Sequence, residues 1–234
     1  MALPKLETPK HSCVLPTLEE TVYYRPFLVG EQKMLLIAQE SDDTDTQIKE
    51  MMRLINVCCD DIDVDKLPSI DLEFLFLQIR IKSVGETSSV IFECDKCNQE
   101  NTVVIDLESA EVKRDPEEVD KLIPLTDSVT MELQRPSYSM MDGMNLQDEN
   151  TNDLFKLMSK CVVSITDGDE VHTRDDFKEK ELMAFFDSMS LVMFENVQNY
   201  FNTAPTLVLD AGYDCTVCSN HNNVELIGIA NFFE

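Results

Sequence analysis

Glycine is scarce in this chain, with six among 234 residues, and tryptophan is absent. A loop that cradles phosphate needs several glycines close together. Gly30 and Gly143 instead stand alone as turn residues, so a nucleotide-binding loop is excluded. The three histidines, His11, His172 and His221, sit in polar or loop contexts with no motif beside them that would make one a general base. Basic side chains are also few. Lys and Arg number 19 against 45 Asp and Glu, for a formal charge of −26. Such a surface repels phosphate backbones, because nucleic-acid affinity comes largely from Lys and Arg displacing counterions. Among so many carboxylates an apparent acid pair is expected by chance, so the sequence indicates no catalytic residue, no small-molecule substrate and no enzyme. The run Asp42-Asp43-Thr44-Asp45 lacks the glycine and the twelfth-position glutamate of a calcium loop and reads as a solvated helix lead-in. No apolar stretch approaches bilayer length, and Met1 to Pro16 has no apolar core of a signal peptide. The expectation is a protein of a reducing cytoplasm, in which eight cysteines serve as metal ligands and buried thiols rather than disulfides.

What is present is a duplicated motif. Phe92-x-Cys94-x-x-Cys97 and Tyr213-x-Cys215-x-x-Cys218 share an aromatic residue, a gap of one and a Cys-x-x-Cys pair. Each is followed at matching offsets by alternating apolar residues, Val103 and Ile105 in one copy, Val224 and Leu226 in the other. Two such knuckles can supply the four thiolates of a closed tetrahedral zinc site. Cys94, Cys97, Cys215 and Cys218 are therefore the candidate ligands of one structural Zn ion, with no open position for catalysis. The knuckles are far apart, with 117 residues between Cys97 and Cys215, so the ribbon is split. The competing reading, a pair of redox dithiols, needs the first cysteine at a helix N-terminus. Here Cys97 and Cys218 run into polar residues (Asn98 to Asn101 and Ser219 to Asn223) and then strands. His221 could replace one thiolate, although a polar loop histidine is the plainer reading. Cys13, Cys58, Cys59 and Cys161 read as small core hydrophobes.

Along the chain, residues 1–20 read as an extended N-terminal arm broken by Pro4, Pro9 and Pro16. Residues 21–234 read as a single α+β domain: a helical core combined with a small split zinc ribbon made of two Cys-x-x-Cys β-hairpins over 88–108 and 206–229. Tyr23 to Val29 suggests a short strand or arm, and Met34 to Ala38 is a compact apolar run. Ile48, Met51, Met52 and Ile55 predict a helix over 46–58. Ser69 is placed to cap a helix carrying Leu72, Leu75, Phe76 and Ile79, although the same segment alternates like a strand. Residues 109–125, charged and broken at Pro116 and Pro124, suggest a linker or loop. Val129, Met131 and Leu133 predict an exposed-face strand. Three helical stripes follow: Leu154, Leu157, Met158 and Cys161; Leu182, Phe185, Phe186 and Met189; and Met193, Val197, Tyr200 and Phe201, the last ending before Pro205. The aromatic close, Phe232-Phe233-Glu234, either folds back onto the core or anchors a partner.

With these residues in view, the chain resembles the baseplate hub assembly protein family of T-even-type contractile-tailed bacteriophages. The matching stretches are Tyr24-Arg25-Pro26-Phe27-Leu28-Val29-Gly30-Glu31-Gln32-Lys33-Met34-Leu35-Leu36-Ile37-Ala38, Leu67-Pro68-Ser69-Ile70-Asp71-Leu72-Glu73-Phe74-Leu75, both knuckles, and a Gly-x-x-x-Phe-Phe ending at Gly228 to Phe233. One departure is Glu31-Gln32, where the family often has two acids before the lysine. The resemblance implies a role in building the baseplate hub, as an assembly factor or a retained subunit, within the host bacterial cytoplasm or the virion tail. Its implied partners are other phage baseplate hub and tail proteins, with no nucleic acid and no membrane. It implies no catalytic residue. A zinc-ribbon adaptor for transcription or replication and a Cys-x-x-Cys thiol oxidoreductase are the alternatives from other classes.

Overall fold

The computed structural model describes residues 7–39, 44–144 and 151–229. The Phe232-Phe233 pair lies outside the described residues. The chain mixes α and β, with five small sheets among the described residues, and it gathers into two compact units. The first is formed by Met1–Lys113 and Thr206–Glu234, the second by Arg114–Pro205.

The first unit opens with a hairpin, β1 (His11–Val14) against β2 (Thr21–Tyr24). Where an extended arm is expected over 1–20, part of that segment is therefore paired strand. Leu15 is fully buried at the turn, and Asp71 accepts hydrogen bonds from the Thr17 amide at 2.8 Å and from the Thr17 hydroxyl. Helix α1 (Val29–Gln39) absorbs the apolar run at Met34. Glu31 caps its start by accepting from the Leu28 amide at 2.6 Å and pairs with Arg25 at 2.7 Å. Helix α2 (Thr44–Cys58) is the amphipathic helix expected over 46–58, and it buries Met51, Leu54 and Ile55.

Helix α3 (Ser69–Val84) is the centre of this unit. Ile70, Leu72, Leu75, Leu77, Ile79 and Ile81 are all buried and fall on two opposite faces of the helix, with Lys82 and Val84 left exposed at its end. This explains why the segment also alternates like a strand: residues two apart in a helix lie about 200° apart, so two opposite buried faces give a period near two. Ser69 is its first helical residue rather than its cap. Pro68 takes that position, where its fixed φ and missing donor cost nothing. Strands β3 (Thr87–Glu93) and β4 (Glu100–Asp106) then form a seven-residue antiparallel ladder, and β5 (Glu111–Lys113) ends the first passage through the unit.

The second unit is a four-stranded antiparallel sheet with helices around one core. Its strands are β6 (Leu122–Pro124), β7 (Val129–Leu133), β8 (Val162–Asp167) and β9 (Glu170–Thr173), in that spatial order. Its helices are α4 (Tyr138–Met141), α5 (Thr151–Lys160), α6 (Glu179–Asp187) and α7 (Leu191–Asn202). Ile123, Met131, Leu133, Met158, Val162, Ile165, Leu182, Phe186, Val197 and Tyr200 make its core. One expectation changes here. Residues 109–125 contain β5 and β6 rather than a plain linker, with Pro124 tolerated because β6 is an edge strand. Strand β7 has the expected alternation, burying Met131 and Leu133 and leaving Thr130 and Glu132 partly exposed, while lying between β6 and β8. Each compact unit has its own buried core, and in sequence the second is inserted into the first.

The chain returns to the first unit through β10 (Thr206–Asp210), which pairs with β5 on one side and β13 (Glu225–Ile227) on the other. Between them, β11 (Tyr213–Asp214) and β12 (His221–Asn222) flank the second knuckle. Thr206 lies opposite Lys113, so the strands on which the chain leaves and re-enters this unit are neighbours.

Cys58, Cys59 and Cys161 are buried and Cys13 is half-buried. Burial pushes the thiols of Cys13 and Cys58 up to about 11 and those of Cys59 and Cys161 up to about 12. At pH 8 no more than about one in a thousand of each is thiolate, the nucleophilic form. Brief iodoacetamide treatment of the native protein at pH 8 should leave all four unmodified by mass spectrometry, whereas denaturant should expose them to rapid alkylation.

Candidate metal centre

Each knuckle is a turn set by backbone hydrogen bonds. The Cys94 amide donates to the Gln99 carbonyl at 2.9 Å and the Asn98 amide to the Cys94 carbonyl at 2.8 Å. In the second copy the Cys215 amide donates to Asn220 at 2.9 Å and the Ser219 amide to Cys215 at 3.0 Å. Asn98 and Ser219, at the same place in the two turns, have left-handed φ values of 55° and 53°. The repeat in sequence is therefore a repeat in backbone conformation. Phe92 and Tyr213, both two residues before the first cysteine, stack with centroids 5.7 Å apart and planes 18° apart. The Tyr213 hydroxyl is buried beside Asn101 but makes no hydrogen bond of normal geometry.

All four knuckle sulfurs converge, within 4.8 Å of one another. The closest approaches are between knuckles, Cys94 to Cys218 at 3.7 Å and Cys97 to Cys215 at 3.6 Å. A disulfide needs about 2.05 Å. Tetrahedral bonds of about 2.3 Å to zinc put sulfurs about 3.8 Å apart. The soft, four-sulfur donor set and its spacing therefore fit a closed zinc site. Cys94 and Cys215 are buried, Cys218 is partly covered and Cys97 is exposed. The amides of Cys218 and Val217 favour the Cys215 thiolate and bring that group down to about 6. Burial opposes ionisation of Cys94, but the Lys96 and Cys97 amides outweigh it and lower that thiol as well. The Gln99 amide favours the Cys97 thiolate, but the three neighbouring sulfurs and burial push that thiol up to about 12. Four thiolates at these separations repel, and a divalent cation is what would let all four ionise together. His221 is not part of the cluster; its Nδ1 pairs with Asp214 at 2.8 Å.

Sequence reasoning passed over two side chains as turn residues. Asn101 and Asn222 are buried polar groups lying between the knuckles. The Asn101 Oδ1 accepts from the Thr216 amide and hydroxyl, both at 2.9 Å, and the Asn222 Oδ1 accepts from the Asp95 amide at 3.1 Å. Each lies seven positions after the first cysteine of its own knuckle, and that shared offset was the available signal.

The chain matches the model of the T4 bacteriophage base plate protein family over residues 8–234, a span that includes both units and both knuckles. The chain belongs to this family and so is a protein of the T4-type phage baseplate. Among curated proteins and among solved structures nothing matches it. Among the described residues no helix is long and apolar enough to cross a membrane.

The unpartnered hydroxyl supplies a test of the packing between the knuckles. The first copy of the motif already has phenylalanine at the matching position, and an unbonded buried hydroxyl contributes a desolvation cost. Tyr213→Phe should leave thermal stability unchanged or raise it by up to about 1 kcal/mol, read from denaturant melts. A marked loss would show that the hydroxyl makes a needed bond.

Proposed function

We propose that this chain is a baseplate hub assembly protein or hub subunit, that it works by binding other tail proteins rather than by catalysis, and that Cys94, Cys97, Cys215 and Cys218 hold one structural zinc ion. The convergence of four sulfurs from knuckles 117 residues apart carries the zinc part of this reading. Zinc there would clip together the two chain passages that build the first unit, leaving no position for a substrate. The alternatives gain less support. A nucleic-acid adaptor conflicts with a charge of −26. A redox dithiol conflicts with cysteines held in turns between strands instead of at a helix N-terminus.

Helix α1 supports the assembly role. No described side chain in it is fully buried, although Met34, Leu35, Leu36 and Ile37 follow one another. Val29 is 85% exposed and Leu36 and Ile37 are each 53% exposed. An apolar helix left this open is the kind of surface that a protein partner covers. An acidic chain with an apolar helix on its surface suits partners whose contact is apolar and whose rim is basic.

Protein purified without added zinc should carry about one equivalent per chain by metal analysis, as one four-cysteine site requires. Cys215→Ser should lose that metal and melt at a lower temperature, and retention of both would reject the split site. Co-expression with the other hub proteins should give a stable complex that does not retain DNA at physiological salt. A Leu36→Glu/Ile37→Glu variant should abolish that complex while shifting the isolated protein's stability by no more than about 0.5 kcal/mol, as exposed sites usually do. Tight DNA binding with a steep salt dependence would overturn the assembly reading.

A further inference from the structure

The contacts of Asn101 and Asn222 run in opposite directions. The Asn101 Nδ2 donates to the Gln99 carbonyl in its own knuckle at 2.7 Å, while its Oδ1 accepts from Thr216, the residue after Cys215. The Asn222 Nδ2 donates to the Asn220 carbonyl in its own knuckle at 3.0 Å, while its Oδ1 accepts from Asp95, the residue after Cys94. Each side chain therefore grips its own turn with its NH₂ group and the opposite cysteine loop with its oxygen. The backbone partners settle both amide orientations, since an amide N–H needs an acceptor and a carbonyl needs a donor. We infer that Asn101 and Asn222 are positioning residues that form a reciprocal clamp, docking the two knuckles against each other and preorganising the four sulfurs for metal.

The chemistry of the position favours asparagine. Aspartate would turn an oxygen toward the Gln99 or Asn220 carbonyl and add a negative charge beside four thiolates. The Asn101 Nδ2 also lies 3.8 Å from the Cys215 sulfur, where an N–H stabilises thiolate charge. Both side chains are almost fully enclosed, 3% and 2% exposed, so no water is at hand to replace a lost bond. The clamp is made of bonds between protein groups, those from Thr216 and Asp95 crossing from one knuckle to the other; its effect on affinity rests on the zinc reading above.

The full-length protein tests both parts. Asn101→Ala and Asn222→Ala should each bind one zinc per chain about 10- to 100-fold more weakly than wild type in chelator competition, the usual effect of losing a group that orients metal ligands. Their cobalt-substituted forms should keep the wild-type tetrahedral thiolate absorption, because all four sulfurs remain. Asn101→Asp should not rescue affinity. A purely packing role would lower the melting temperature and leave metal affinity unchanged, and that result in a folded variant overturns the clamp. Hydrogen exchange on reduced, metal-free wild type gives an independent reading. Protected Asp95 and Thr216 amides support a clamp formed before metal, and exchange at the rate of open loops overturns it. If wild type binds no zinc at all, the reading of the site fails while this exchange measurement still decides the clamp.

Discussion

The first unit depends on one constraint: residues 94–97 and 215–218 must meet although a whole folded unit lies between them in the chain. Closing a loop of that length in a flexible chain costs on the order of 4 kcal/mol in entropy. The second unit reduces this cost through its own fold. Near its two ends the Val119 amide donates to the Thr203 hydroxyl at 3.1 Å, and the Arg135 guanidinium, ion-paired with Glu118 at 3.0 Å, lies 3.9 Å from the Tyr200 ring. Those contacts hold the ends of the insertion close together. Within the first unit β5 pairs with β10, and the knuckles lie further along the same two passages of chain.

The meeting of the knuckles combines attraction and repulsion. Stacked Phe92 and Tyr213, together with the two asparagines, bring the turns together through apolar contact and hydrogen bonds. The four sulfurs at the centre oppose this once ionised, on a chain that already carries 26 net negative charges. A bound divalent cation would turn that repulsion into the strongest local attraction, which is why the proposed zinc and the knuckle contacts belong to one device. The same acidity would keep phosphate backbones away and leave apolar α1 as the surface suited to a protein partner.

Local patterns were legible where one side of an element faces water. Helices α2, α5, α6 and α7 bury a stripe and expose the rest, so their spacing announced them. Helix α3 buries two opposite faces, so its apolar residues alternate as a strand's do, and the segment is ambiguous in sequence. The β8–β9 hairpin was missed although Gly168-Asp169 is a turn signal between two short β-branched runs, with Gly168 at a φ of +60°. The start of the second ribbon half at Thr206 was legible from Pro205, whereas the boundary at Lys113 was not, because β5 is three residues long and gains its structure only from β10, far away in sequence.

The candidate ligands were evident from the chain alone. The Cys-x-x-Cys spacing and the turn it favours are local, closed by hydrogen bonds within five residues, so each knuckle is encoded where it stands. The resemblance to a phage baseplate family was likewise legible in the order of its motifs, and the family match bears it out. Tertiary structure decided that the two knuckles meet, which sulfurs become neighbours and which amide each asparagine holds. Those contacts join residues more than a hundred positions apart. Spacing within a segment carries no information about such partners, because they are chosen by how the intervening chain buries its own apolar surface.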